Sequence, residues 1–248
     1  MRMPILLAAH ALLAAHALAA LACALVATSC GGAEPPPPQA EAARDDRPPP
    51  AAKPALKVRS ELGSVDPGAV KHAFGALDDK FMGCQKQALD RIEVLSGSVK
   101  FFVRIGEDGA ARWTYLEGSE LGDRDTEKCL LDAVRAARWP KPDGGEAEAR
   151  YGMELPLQST RPASEWSSDK VANALGKHGD AIDKCKAGGG ASFHATMYVG
   201  PGGKVLGAGV ATSTRDGEDH TDCLADVLRK MKGLPSPGSW PAKVGFDL

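Results

Sequence analysis

The sequence carries no surplus of charge of either sign, with 30 lysines and arginines against 32 aspartates and glutamates. Aromatic residues are few, at 5%, and no basic stripe with interleaved aromatics occurs. The features by which proteins grip nucleic-acid phosphates and bases are therefore missing, and no nucleic-acid partner is expected. No His-Glu-x-x-His or Cys-x-x-Cys spacing is present, and His72, His178, His194 and His220 are scattered, so no metal-ligand set converges. The stretch Gly200-Pro201-Gly202-Gly203-Lys204 lacks the Lys-Ser or Lys-Thr pair of a phosphate loop and leads into a strand pattern, so it reads as a hairpin turn. No Gly-x-Ser-x-Gly elbow exists for nucleophilic catalysis. These absences predict a protein that is not an enzyme and holds no cofactor.

What is present is a duplication marked by cysteines. Gly106 and Gly109 precede Cys129 in the same register as Gly200 and Gly203 precede Cys223. Ser119 matches Ser213, Leu130 matches Leu224 and Asp132 matches Asp226; after one inserted residue, Pro140 and Pro142 match Pro235 and Pro237. Each copy closes on an alternating strand, Tyr151-Gly152-Met153-Glu154-Leu155 in the first and Val244-Gly245-Phe246-Asp247-Leu248 in the second. A repeat this long sets the domain count, and predicts one domain over residues 64–158 and another over 165–248.

The amino terminus reads as an export signal over residues 1–29, with Arg2 followed by an Ala/Leu-rich apolar run over 4–26. Val26-Ala27-Thr28-Ser29-Cys30, followed by Gly31-Gly32, resembles a bacterial lipobox and makes Cys30 the expected lipid attachment site. Cys23 lies inside the apolar run. The alternative is an uncleaved membrane helix, for which roughly 20 apolar residues suffice; His10 and His16 would then lie in the membrane, where ionisable groups are costly. Residues 30–60 are a Pro/Ala-rich linker, expected to be disordered, with proline runs at 35–38 and 48–50. Roughly 25 such residues act as a semi-stiff tether reaching about 80 Å.

Within each copy the pattern predicts an α+β unit. Asp66-Pro67 starts a helix carrying Val70, Phe74, Leu77, Phe81 and Cys84 at helical spacing, and Val171, Leu175, Ile182 and Cys185 do the same in the second copy. Alternating residues then form a hairpin around Gly106-Glu107-Asp108-Gly109, and around Gly200–Gly203 in the second copy. A second helix presents Cys129 or Cys223, and a last strand follows. The order helix-strand-strand-helix-strand places two helices on one face of a three-stranded antiparallel sheet. Cys84 can then meet Cys129, and Cys185 can meet Cys223, between those helices. In an oxidising compartment, closing loops of about 40 residues contributes roughly 3–4 kcal/mol. A redox thiol at Cys185 is the alternative, because His178 lies two helical turns before it; the first copy has no matching histidine.

This order, the hairpin glycines, Ser119 and Ser213 at the end of the second strand, and the Trp139-Pro140 exit from the second helix resemble the TonB C-terminal domain. The likeness is greatest to the cysteine-bearing AgmX/PglI-type branch found in myxobacterial gliding-motility proteins, and covers residues 66–156 and 167–248. It implies a periplasmic interaction module that binds protein or peptide partners of an envelope transport or motility machine. A lipid anchor in place of an energy-coupled membrane helix departs from TonB itself. Gly31 stands where an aspartate would retain an enterobacterial lipoprotein at the inner membrane, which points to the outer membrane.

Partner binding by strand addition is expected at the last strand of each copy if that strand lies at a sheet edge. Against it, Glu148, Arg150, Glu154, Lys243 and Asp247 could blunt such an edge. A structural spacer remains the other non-enzymatic reading. Ser119 and Ser213 are expected to cap the loop before the second helix, and Trp139 and Trp240 to pack where helix or strand meets loop. For the anchor, mass spectrometry of the mature amino terminus should find a lipid-modified Cys30 with residues 1–29 removed, and Cys30→Ala should abolish the modification.

Overall fold

A computed structural model of the chain describes residues 62–188 and 190–248. The expected signal, the linker and Cys30 lie outside the described residues. The described residues lie within one compact unit, and their fold is α+β, with six α-helices and two sheets of three and four strands.

The first half opens with α1 (Pro67–Gly75) and α2 (Asp78–Leu89), where the sequence predicts one continuous helix. Asp66 caps α1 by accepting the Ala69 amide at 2.6 Å, and Pro67 fills the first turn. The helix breaks at Ala76 and Leu77, whose amides turn back to His72 and Phe74 carbonyls. Gly75 beside the break has weak helix propensity. The break nevertheless keeps Val70, Phe74, Leu77, Phe81 and Cys84 all buried, so the periodicity marks the core face correctly and misses only the joint.

Next come β1 (Gly97–Ile105), β2 (Ala111–Ser119), α3 (Arg124–Arg135) and β3 (Ala147–Leu155), in the sheet order β2-β1-β3 with both pairings antiparallel. Val99, Phe101, Val103 and Ile105 alternate into a core shared with the helices. Trp139 closes that core at the helix exit, its indole N–H donating to the Val134 carbonyl at 3.2 Å.

The second half begins with a short strand β4 (Ser164–Trp166), followed by α4 (Asp169–Lys177), α5 (Gly179–Lys186), β5 (Phe193–Val199), β6 (Val205–Thr212), α6 (Arg215–Arg229) and β7 (Ala242–Asp247). Its sheet order is β4-β7-β5-β6, with β4 parallel to β7. The fourth strand was not expected. The last strands also match differently from their sequence motifs. Tyr151 lies opposite Phe101 and Phe246 opposite Ala195, so Tyr151 corresponds to Phe246 and not to Val244. A slip of two residues preserves which side chains face the core, which is why the motif alignment hides it.

Disulfides join Cys84 to Cys129 and Cys185 to Cys223, with Cα separations of 5.7 and 5.6 Å, and tie α2 to α3 and α5 to α6. Cys223 lies at the exposed margin of its helix. With sequence separations of 45 and 38 residues, replacing either pair by serine should cost about 3–4 kcal/mol. Denaturant unfolding checks this; a loss below about 1 kcal/mol would show that the bridge does not constrain the unfolded chain.

Candidate functional site

The sequence-derived candidates separate on the fold. Cys185 is buried and bonded to Cys223. His178 forms the joint between α4 and α5, with its Nδ1 3.2 Å from the Ala174 carbonyl. It is therefore not on one continuous helix with Cys185, where a spacing of two turns would have set both on one face. His194 pairs with Asp247 at 2.8 Å, and His220 Nδ1 lies 2.7 Å from the Cys185 carbonyl. Among the described residues no group of three His, Cys, Asp or Glu could hold a metal ion, and no helix is long and apolar enough to cross a membrane. The glycine stretch forms a short 3-10 turn (Pro201–Gly203) between β5 and β6.

Ser119 caps the loop before α3 as expected, its Oγ accepting the Leu121 amide and donating to Glu127 Oε1 at 2.6 Å. The helices themselves are capped by Asp123 and Thr214, which accept the Thr126 and Gly217 amides. Ser213 Oγ accepts the Ser192 amide.

The last strands differ between the halves. β3 is an edge strand: β1 pairs with it throughout its length, and among the described residues the outer side carries only a parallel bridge from Leu62 to Glu146, just before the strand begins. β7 is covered over Ala242, Lys243 and Val244 by β4. Two of the three charges considered as edge guards on β3, Glu148 and Arg150, are engaged across the sheet face. Glu148 accepts from Arg104 at 2.9 Å, and Arg150 donates to Glu117 at 2.8 Å while lying over the Phe102 ring. On β7, Lys243 donates to the Ser96 carbonyl and Asp247 accepts from His194. Beside the β3 edge a cleft of about 320 Å3 runs to α1, lined by Val65, Pro67, Val70, Ala149 and Tyr151 with Lys71 and Arg150.

A second constellation, which sequence reading missed, joins the halves. The outer face of the second sheet lies on the first half: Tyr198 is fully buried, its hydroxyl donating to the Ser96 carbonyl at 3.1 Å. Burial pushes its pKa up to about 12. Glu127 is also fully buried; it accepts from Ser119 on one oxygen and from the Val210 amide, across the junction, on the other at 3.1 Å. Arg124 donates to Glu218 and Asp222, each at 2.7 Å, Lys128 reaches Asp222 at 2.8 Å, and Arg229 reaches Asp125 at 3.2 Å. By the repeat register Arg124 corresponds to Glu218 and Lys128 to Asp222. Equivalent positions thus carry opposite charges and bond to each other, a signal visible in the aligned copies but not in either alone.

Burial raises the Glu127 pKa to about 7 against the opposing pull of Arg124, the Ser119 hydroxyl and the Val210 amide. Burial raises Glu218 as well, against Arg124 and Arg135. A carboxyl with a folded pKa above its unfolded value binds more protons when folded, so its contribution to stability falls as pH rises from about 4.5 through 7. No family model matches the chain, and no curated protein or solved structure is significantly similar to it. Glu127→Gln keeps an acceptor for Val210 and a polar group for the rotatable Ser119 hydroxyl. Relative to that variant, the wild-type chain should lose stability between pH 5 and 8 by on the order of 2 kcal/mol. Chemical denaturation at the two pH values measures it; parallel pH profiles for both proteins would show that Glu127 does not titrate there.

Proposed function

We propose that this chain is a non-enzymatic binding protein of the bacterial cell envelope: an exported lipoprotein, anchored through Cys30 and facing the periplasm, on whose linker two tandem TonB-like domains are carried. In this reading each domain is a helix-strand-strand-helix-strand unit, with its broken first helix and its second helix on one face of the sheet. The partners are proteins or peptides of an envelope transport or motility machine, and they bind by adding a strand to β3. The observation that carries the proposal is the outer edge of β3, which beyond Glu146 is paired with no strand among the described residues. Its backbone groups form a ready template for an extended segment. Exposure of Glu148, Arg150, Gly152 and Glu154 leaves the strand accessible. Thiol chemistry has less to support it, since all four cysteines of the described residues are spent in disulfides.

Along an antiparallel strand, successive amides point to opposite sides. Of the adjacent variants Gly152→Pro and Met153→Pro, one therefore removes an amide bonded to β1 and the other an outward amide. The variant that keeps the wild-type melting temperature should lose crosslinked envelope partners in pulldowns from intact cells. Undiminished capture by that variant would remove β3 as the binding edge, and no specific capture by the wild-type chain would favour a spacer.

A further inference from the structure

We propose that the cleft between α1 and β3 is a subsite for an aromatic side chain, carried by an extended partner segment that adds to β3 in the parallel direction with a basic residue just before the aromatic. This rests on the strand-addition reading of β3. The chain itself supplies the pattern. In the second half, β4 lies parallel on the outer edge of β7, with Ser164, Glu165 and Trp166 opposite Ala242, Lys243 and Val244. Trp166 packs against the second core, which contains Val171 of α4 and Val244.

The equivalent place in the first half is fixed by the sheet registers. Met197 pairs with Val244, and its counterpart Val103 pairs with Ala149. Ala149 is buried on the helix side of its sheet, as Val244 is in the second. In-register residues of parallel neighbours project to the same face, so a side chain opposite Ala149 enters the space between β3 and α1. That space is the cleft of about 320 Å3 bounded by Val65, Pro67, Val70 and Tyr151, apolar walls suited to an aromatic ring.

The first half begins the same insertion and abandons it. Leu62 bridges in parallel to Glu146, and the Gly63 amide donates to the Glu146 carbonyl at 2.7 Å. Ser64 then turns away to exchange backbone bonds with Asp143 at 2.9 and 2.8 Å. Val65 stands five residues before Val70 as Trp166 stands five before Val171. It packs against the first core and lines the cleft, and among the described residues this smaller side chain leaves the cleft beside it unfilled. The residue before the aromatic would face Glu148, which already accepts from Arg104 at 2.9 Å, where β4 sets Glu165 beside Lys243. An acid such as Glu165 would there meet a like charge, so Lys or Arg is favoured at that position of the partner.

The probe is a fluorescein-labelled peptide of residues 160–169 carrying Glu165→Lys, titrated against the full chain by fluorescence anisotropy. Saturable binding is expected. Trp166→Ala in the peptide should weaken it roughly tenfold or more, and restoring Glu165 should weaken it roughly two- to fivefold. Val65→Arg in the protein, on the cleft wall, should also weaken it while the circular dichroism spectrum is unchanged. A photo-crosslinker at the amino end of the peptide should mark residues near Asp143, and one at the carboxyl end residues near Gly152, a readout independent of the variant. Equal binding of the Trp and Ala peptides would overturn the subsite while leaving strand addition standing. Reversed crosslinks would overturn the parallel direction. Absence of binding by either peptide would overturn the proposal as a whole, and the β3 proline variants would still judge the edge separately.

Discussion

Gly207 and Gly209 let the loop before α3 lie flat on the outer face of β6, and the rest of the junction depends on that approach. A Cβ at Gly207 would stand 2.7 Å from the Gly122 carbonyl oxygen, and one at Gly209 would stand 3.0 Å from the Asp123 amide nitrogen. Backbone occupies both places, so neither side chain could be relieved by a rotamer change. With the loop seated, Thr196 Oγ1 reaches the Ser119 carbonyl at 3.3 Å, Tyr198 enters the turn around Ser96, and Glu127 meets the Val210 amide. The first-half positions that correspond to Gly207, Gly209 and Ala211 hold Trp113, Tyr115 and Glu117. That face carries large side chains: Phe102 stacks on Tyr115 at 4.7 Å, and Trp113 lies near both Arg104 of its own half and Arg215 of the other. Two similar halves have thus taken complementary parts, one offering a thick aromatic face and the other a thin one.

The same division shows at the opposite edge of each sheet. The second half fills the outer edge of its last strand with β4 and Trp166, whereas the first stops after a single bridge at Glu146. A duplication that treated both halves alike would have two open edges or none. Here the open edge and the adjoining apolar cleft belong to the first half, and the junction face belongs to the second. The functional reading therefore concentrates on β3, although the sequence repeat treats both last strands as equals.

Much of this was legible in the residues because period and register are local properties. The buried face of α1 and α2, the hairpins and the partner of each cysteine follow from spacing alone. The break at Ala76 was not, since Val70, Phe74 and Leu77 satisfy one helix as well as two. The two-residue slip of β7 was hidden for the same reason: strand periodicity is blind to even shifts. Glu127 reads as an ordinary helix-surface glutamate, because its burial comes from residues some 80 positions away, such as Val210 at a separation of 83. Gly207 and Gly209 look like weak strand residues until the loop that needs their bareness is seen.

The charges at the junction serve a different end from the glycines. Burying Arg124 with Glu218 and Asp222 gains little net stability, since desolvation offsets much of the attraction. Pairing is still selective. If two first halves met through the same faces, Arg124 would confront Arg124 and Lys128 would confront its own copy; two second halves would set Glu218 and Asp222 against themselves. Like charges brought together in a poorly solvated junction cost several kcal/mol. Only a first half against a second half satisfies both sets. The bulky outer face of Trp113 and Tyr115 excludes the homotypic meeting a second time, because the approach at Gly207 and Gly209 tolerates no side chain. Charge reversal and side-chain removal at matched positions therefore act on the same choice, and they favour a first half meeting a second half over two like halves meeting.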